Sequence, residues 1–227
     1  MKRILFLILV FGRHVASAQF LKGIGIFGAL TSSAHYYENM DTDKKSDTTF
    51  VYNHFYPQSH ISKEFINWGA GLFLELSNRD NLRWQTEVEY THKGAKEKGL
   101  INPITGEREG SFRANKYTYI QWNNYLKFYN PLGYGAHWYV MPGIRLEYLL
   151  SSNGSSFPPI SGSFPKFWFS GNIGVGYEYH LFKNISAFTE LHWNPDIIRH
   201  KHDNTKVRNR TYELRIGLVY RKKKRSI

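Results

Sequence analysis

The sequence predicts an all-β chain: eight antiparallel strands closed into an up-and-down transmembrane barrel. Three observations predict it. Apolar residues recur with period two rather than 3.6, the connections between periodic segments alternate between short and long, and the non-apolar face of each strand carries Glu, Arg and Gly. The chain has 227 residues, 41% hydrophobic and 17% aromatic, which excludes a disordered polar polymer. No segment approaches the ~20 consecutive apolar residues that a membrane helix requires.

The first element is "MKRILFLILVFGRHVASAQ". A basic start at Lys2 and Arg3, an apolar run from Ile4 to Phe11, and small residues at Ala16 and Ala18 predict a secretory signal peptide over 1–18, cleaved after Ala18. Residues 19–221 are then the barrel domain, and 222–227 a basic tail. There is no cysteine, which rules out a disulfide framework and the lipidated cysteine of a lipoprotein. Without the leader's Lys2, Arg3 and Arg13 the chain remains formally +9 (30 less 3 basic residues against 18 acidic). For an exported chain that charge points to lipid phosphates and other anionic surface polymers, and not to nucleic acid.

Eight strands follow, at about 22–34, 64–77, 82–93, 116–128, 137–150, 167–180, 185–194 and 210–221. "SNRDN", "NPLGYG" and "HLFKN" are tight turns. "YENMDTDKKSDTTFVYNHFYPQSH", "GAKEKGLINPITGEREGSFRAN", "SSNGSSFPPISGSFP" and "PDIIRHKHDNTKVRN" are long and polar. Short and long connections therefore fall at opposite ends of the strands, as in barrels with short periplasmic turns and longer outside loops.

The alternation assigns the faces. The second strand sets Ile66, Trp68, Ala70, Leu72, Leu74 and Leu76 against Asn67, Gly69, Gly71, Phe73 and Glu75; the sixth sets Phe169, Ile173, Val175, Tyr177 and Tyr179 against Asn172, Gly174, Gly176 and Glu178. A soluble lipocalin-like barrel would turn the apolar set inward, whereas a membrane barrel turns it outward. The last strand decides for the membrane. Tyr212 and Tyr220 are eight residues apart, roughly 20 Å along the membrane normal at ~3.3 Å per residue and a tilt of about 40°, near the ~25 Å of an apolar band. Trp68, Trp84, Tyr90, Phe169, Tyr177, Tyr179, Tyr212 and Tyr220 are the expected interfacial aromatics.

The inward set is Glu75, Arg83, Glu87, Glu89, Lys127, Arg145, Glu147, Glu178, Glu190, Glu213 and Arg215. Buried charges must be paired and hydrogen-bonded, so the expectation is a structural polar network that plugs the lumen. Two positions resist the pattern. Pro142 cannot donate to a ladder within the fifth strand, which calls for a bulge or a boundary there, and the fourth strand turns Asn124 outward together with Ile120, Trp122, Leu126 and Phe128.

Catalytic, metal and cofactor sites are not expected. His60 and Ser62 of "SHIS" lie in a loop without a visible carboxylate, and His192 beside Glu190 lacks a nucleophile. His200 and His202 of "RHKH" fit a solvated loop better than a metal centre. That loop's Arg199, Lys201, Lys206, Arg208 and Arg210 suit contact with lipopolysaccharide phosphates. The run from Arg221 to Arg225 caps the final strand on the periplasmic side, where it can meet inner-leaflet phosphates or an acidic partner. Tyr220 is the aromatic available to the barrel insertion machinery.

The pieces "EVEYTHKGAK", "YIQWNNYLKF", "WYVMPGIRLEYLL", "NIGVGYEY", "ELHWNPDI" and "ELRIGLVYR" resemble, in that order, the outer-membrane β-barrel family of Bacteroidota that includes PorT-like proteins. The likeness runs from about Glu64 to Arg221. The family often has proline where this chain has Asn123. The resemblance implies an eight-stranded barrel of the outer membrane and no single activity; the expectation drawn from the residues is a structural or binding role without catalysis. Its alternatives are a PorT-like accessory of a protein secretion system, with a periplasmic or secretion-system partner, or a lipid-modifying enzyme.

Overall fold

A computed structural model describes residues 21–39, 59–61, 64–76, 81–101, 108–153, 166–197, 200–202 and 205–221. The expected leader at 1–18, Ser62 and the tail at 222–227 lie outside them, as do the side chains of His60, His200 and His202.

Ten strands run in chain order: β1 (Leu21–Asn39), β2 (Ser59–Ile61), β3 (Phe65–Leu76), β4 (Leu82–Ile101), β5 (Arg108–Gly133), β6 (Ala136–Asn153), β7 (Phe167–Phe182), β8 (Ile185–Pro195), β9 (His200–His202) and β10 (Thr205–Arg221). Eight of them close a barrel, in the order β1-β3-β4-β5-β6-β7-β8-β10, with β10 pairing back onto β1. Every pairing is antiparallel, and closure runs from Gly23 opposite Arg221 to Asn39 opposite Thr205. A closed sheet leaves no edge, the condition for strands to cross lipid. Among the described residues no helix is long and apolar enough to cross a membrane.

The pleat turns the apolar set outward. Ile26, Leu72 and Ile216 are 54%, 63% and 65% exposed, while Glu89, Glu213, Arg145 and Arg215 are fully buried. A water-soluble barrel would invert this, so the lipocalin-like assignment fails on the side-chain orientation itself.

Three differences separate the structure from the sequence reading. β4 and β5 run on to Ile101 and back from Arg108, taking in much of a segment expected to be loop. Their ladder continues through Lys98 opposite Phe112, shifts register, and ends at Ile101 opposite Arg108. A strand of 20 residues is about 65 Å long, roughly twice what a tilted strand needs to cross the apolar band. The hairpin therefore stands above the barrel rim, where pairing still satisfies the backbone but no buried face imposes alternation. β1 and β10 likewise extend to Asn39 and from Thr205, flanked by the short β2 and β9.

Pro142 is the third difference, because it forms neither a bulge nor a strand end. The β5–β6 ladder pairs Tyr125 with Gly143 and Phe128 with Val140, omits the two pairs between, and keeps its register. Asn124 does lie on the outer face, opposite Thr86 and Ile144. The β5–β6 turn is made by left-handed residues, Gly133 at φ 90°, Tyr134 at φ 50° and Gly135 at φ 78°.

Candidate functional site

The barrel's chemistry is concentrated in its lumen, where the inward set of alternating positions on each strand converges, odd-numbered on β3 to β6 and β10 and even-numbered on β7 and β8. Close approach is made possible by glycine. A Cβ at Gly25 would lie 2.1 Å from the Phe73 ring, and one at Gly176 would lie 2.3 Å from that of Tyr139. Each large side chain thus occupies the space above a glycine on a neighbouring strand, and the lumen fills in layers.

At the end with the short turns, Arg221 reaches across from β10. Its Nε donates to Glu75 Oε2 at 2.6 Å and its Nη2 to Glu178 Oε2 at 2.7 Å. Nη2 also donates to the Tyr129 hydroxyl at 3.2 Å. Arg83 adds a bond to Glu75 at 3.4 Å and lies 3.9 Å above the centre of the Tyr129 ring. One turn of the pleat higher, Lys127 donates to Glu190 at 3.1 Å and to Gln85 at 3.0 Å, with Nζ 4.0 Å above the Tyr139 ring. The Tyr139 hydroxyl donates to the same Glu190 oxygen at 2.6 Å. Phe27, Phe73, Phe188, Ala29 and Val219 form an apolar cluster beside these charges.

Arg215 organises the centre. It donates to Glu87 at 2.7 Å, to Glu89 at 2.6 Å and to Glu213 at 2.8 Å, and its guanidinium lies 4.6 Å above the Phe27 ring. Arg145 grips Glu213 in a two-pronged bond of 2.7 and 3.0 Å and donates from Nε to Asn123 at 2.8 Å. Such paired geometry is the strongest kind of charge-assisted bond available to a guanidinium. Above it, Lys93 binds Glu147 at 2.5 Å. These bonds link β4, β5, β6 and β10 across the lumen, so the same contacts brace opposite walls.

The inward residues named from sequence, Glu75, Arg83, Glu87, Glu89, Lys127, Arg145, Glu147, Glu178, Glu190, Glu213 and Arg215, all lie in this network. Of the outward aromatics, Trp68, Trp84, Tyr90, Tyr177, Tyr179 and Tyr220 are exposed, and Phe169 and Tyr212 half-buried. Sequence reasoning missed Lys93 and Arg221. Both continue the odd-numbered series of their strands, so alternation carried through to the strand ends would have found them. Arg221 in particular is not part of a free basic cap, since it turns into the lumen. The aromatic hydroxyls of Tyr125, Tyr129 and Tyr139 were also missed, because an inward tyrosine reads as apolar until its partner is known.

His192 is held at both nitrogens: Nε2 lies 3.0 Å from Glu190 and Nδ1 2.9 Å from Asn172. Neither nitrogen is left to activate a hydroxyl, as a catalytic base would have to. Among the described residues no cluster of His, Asp and Glu is arranged to hold a metal ion.

The fold and lumen define a transmembrane-type antiparallel barrel of eight strands. No family model matches the chain, and no curated protein matches it in sequence. Solved structures do. The outer membrane protein OprG from Pseudomonas aeruginosa superposes with a TM-score of 0.52 at 13% identity, over 88% of this chain and 96% of that one. Neisserial surface protein A follows at 0.49 and 10% identity, over 87% and 97%. A major outer membrane protein from Thermus thermophilus gives 0.44 at 10%, over 87% and 99%. At these identities the likeness speaks for the fold alone, and OprG carries it.

Proposed function

We propose that this chain is a small barrel of the outer membrane whose lumen is closed by its own side chains, and which acts as a structural or binding protein through its outer surface and loops. The observation that carries this reading is the network centred on Arg215, which joins Glu87, Glu89 and Glu213 while Arg145 binds Glu213 from the facing wall. Ions or solutes could pass only if these buried pairs were broken, and leaving a buried charge unpaired costs about 3–5 kcal/mol.

Two measurements test it. The full chain, purified in detergent, should migrate differently unheated and boiled, as a compact barrel does. Reconstituted into planar bilayers, it should show no steady conductance. Recovery in a soluble fraction with unchanged mobility would overturn the membrane reading, and a stable open current would overturn the closed lumen.

The finer reading, a PorT-like accessory of a secretion machine, is supported by the ordered sequence resemblance and by the basic residues that follow Arg221. Cross-linking at Lys222–Lys224 followed by isolation of envelope complexes tests it. Recovery of the barrel alone, without an acidic periplasmic partner, would remove it.

A further inference from the structure

The outer wall of the β4–β5 hairpin carries two cations at one height. Lys96 and Lys116 are both exposed, on the outward face. In the ladder Lys116 stands opposite Gly94, and Lys96 opposite Ala114, so the two lysines are diagonal neighbours with only small side chains between them. Diagonal positions in an antiparallel pair are about 7–8 Å apart, a span that one phosphate group can bridge with two long ammonium side chains. Neither lysine has a carboxylate partner among the described residues. Lys96 Nζ lies 5.5 Å over the Phe65 ring, and the adjacent Glu64 accepts the Ser32 hydroxyl at 3.0 Å.

Height decides what such a pair can meet. Trp84 and Phe128 mark the short-turn end of the outer face, each 49% exposed, and each lysine is twelve positions further along its strand. Twelve residues at ~3.3 Å and a tilt of about 40° give roughly 30 Å, just beyond an apolar band of ~25 Å. The ammonium groups therefore stand at the level of the headgroups of the loop-side leaflet. Beneath them is an aromatic shelf. The His92 ring meets Trp68 edge-on at 5.0 Å and Tyr90 at 5.1 Å, and its Nδ1 lies 3.0 Å from the Thr118 hydroxyl. Flat rings below and two cations above suit a phosphorylated sugar headgroup on acyl chains.

We propose that Lys96 and Lys116 form a binding site for the phosphate of an outer-leaflet glycolipid, with the exposed Trp68 and Tyr90 packing beneath its sugar and the buried His92 wedged against both rings. This inference rests on the membrane reading above. Arg210, also outward, has its guanidinium taken by the Tyr212 hydroxyl and ring, so the lysine pair is the more available cation.

The test is native mass spectrometry of the full chain in detergent, with a phosphorylated glucosamine-disaccharide lipid and its dephosphorylated counterpart as probes. The wild type should retain the phosphorylated lipid preferentially. K96Q/K116Q should retain it roughly tenfold or more weakly, at the scale of two interfacial lysines, whereas K183Q at the short-turn end should match the wild type. Equal retention of both lipids by the wild type, or unchanged retention by the double variant, overturns the site. The unheated and boiled mobilities of the same samples separate the two claims. A persisting shift with indifferent lipid binding removes this inference alone, whereas a wild type without the shift removes the membrane reading and the inference with it.

Discussion

The two halves of the lumen are built differently. From the short turns up to Arg215, charged groups meet opposite charges and tyrosine hydroxyls; the exceptions are single atoms of groups otherwise bonded, Arg83 Nε and Glu89 Oε1. Towards the long loops the unpartnered atoms accumulate, on Asn115, Tyr119, Gln121, Ser170, Asn194, Asn209 and Thr211. All seven residues are buried. The lower half is held by paired charges, and removing one partner strands another. The upper half has the Lys93–Glu147 pair and Asp196, but it also carries these neutral polar groups, whose atoms have no partner among the described residues, so removing one of them strands nothing.

The largest expected effect comes from Arg215. R215A leaves Glu87, Glu89 and Glu213 gathered in a dry interior with Arg145 as the remaining guanidinium. The expected loss is about 3–5 kcal/mol, read as a lower urea midpoint in detergent with unchanged slope. A variant as stable as the wild type would show that the centre is not held by this residue.

Arg221 comes next. R221A frees Glu75 and Glu178, but Arg83 and Lys127 remain near Glu75. With its side chain 15% exposed, Arg221 also gains less from a dry surrounding, so the expected loss is about 2–3 kcal/mol. The effect should appear as fraying of the closing β1–β10 seam, measurable by hydrogen exchange at the paired Ile24 and Tyr220, since the Arg221 amide itself donates to the Asn184 carbonyl on the other side. Equal protection in both proteins would show that Arg221 does not staple the seam.

These lower residues were largely legible in the sequence, and for a physical reason. Where a strand crosses lipid, one face must be apolar and the other is enclosed, so period-two alternation fixes the direction of Glu87, Glu89, Glu213 and Arg215 without any knowledge of their partners. Pairing was not legible. That Arg145 hydrogen-bonds Glu213 at 2.7 Å and keeps its strand neighbour Glu147 only at 3.7 Å depends on the register and width of the closed barrel. The hairpin beyond Lys93 was illegible for the converse reason, since above the rim no buried face imposes a pattern. That is why "GAKEKGLINPITGEREGSFRAN" read as loop.

The upper half should respond to pH. Asp196 lies just beyond β8, where burial, and then the nearby Glu147 carboxylate, push its carboxyl up to about 7 against an ordinary 3.8, although the Asn209 amide donates to it. The folded state thus holds this proton more tightly than the unfolded one. The resulting stabilisation is complete below about pH 4 and is lost as pH rises towards 7. Stability, read as the urea midpoint in detergent, should fall over that window and level off above it. D196N should flatten the dependence. A wild-type profile already flat between pH 4 and 7 would show that Asp196 is ionised throughout.

The smallest effect gives the sharpest comparison, because one chemical change can be made in both halves. Tyr139→Phe removes a hydroxyl that donates to Glu190 at 2.6 Å, beside Lys127. A hydrogen bond to a charged group contributes about 1.5–3 kcal/mol, so Y139F should lose on that scale. Thr211→Val removes a hydroxyl of similar burial whose Oγ1 has no partner among the described residues, and keeps the side chain's shape. Replacing an unpartnered buried polar atom by an apolar one is neutral or stabilising, so T211V should stay within about 1 kcal/mol of the wild type or exceed it. If both variants lost stability equally, the Thr211 hydroxyl would have a partner, and the division of the lumen into a bonded half and an unbonded half would fail at that position.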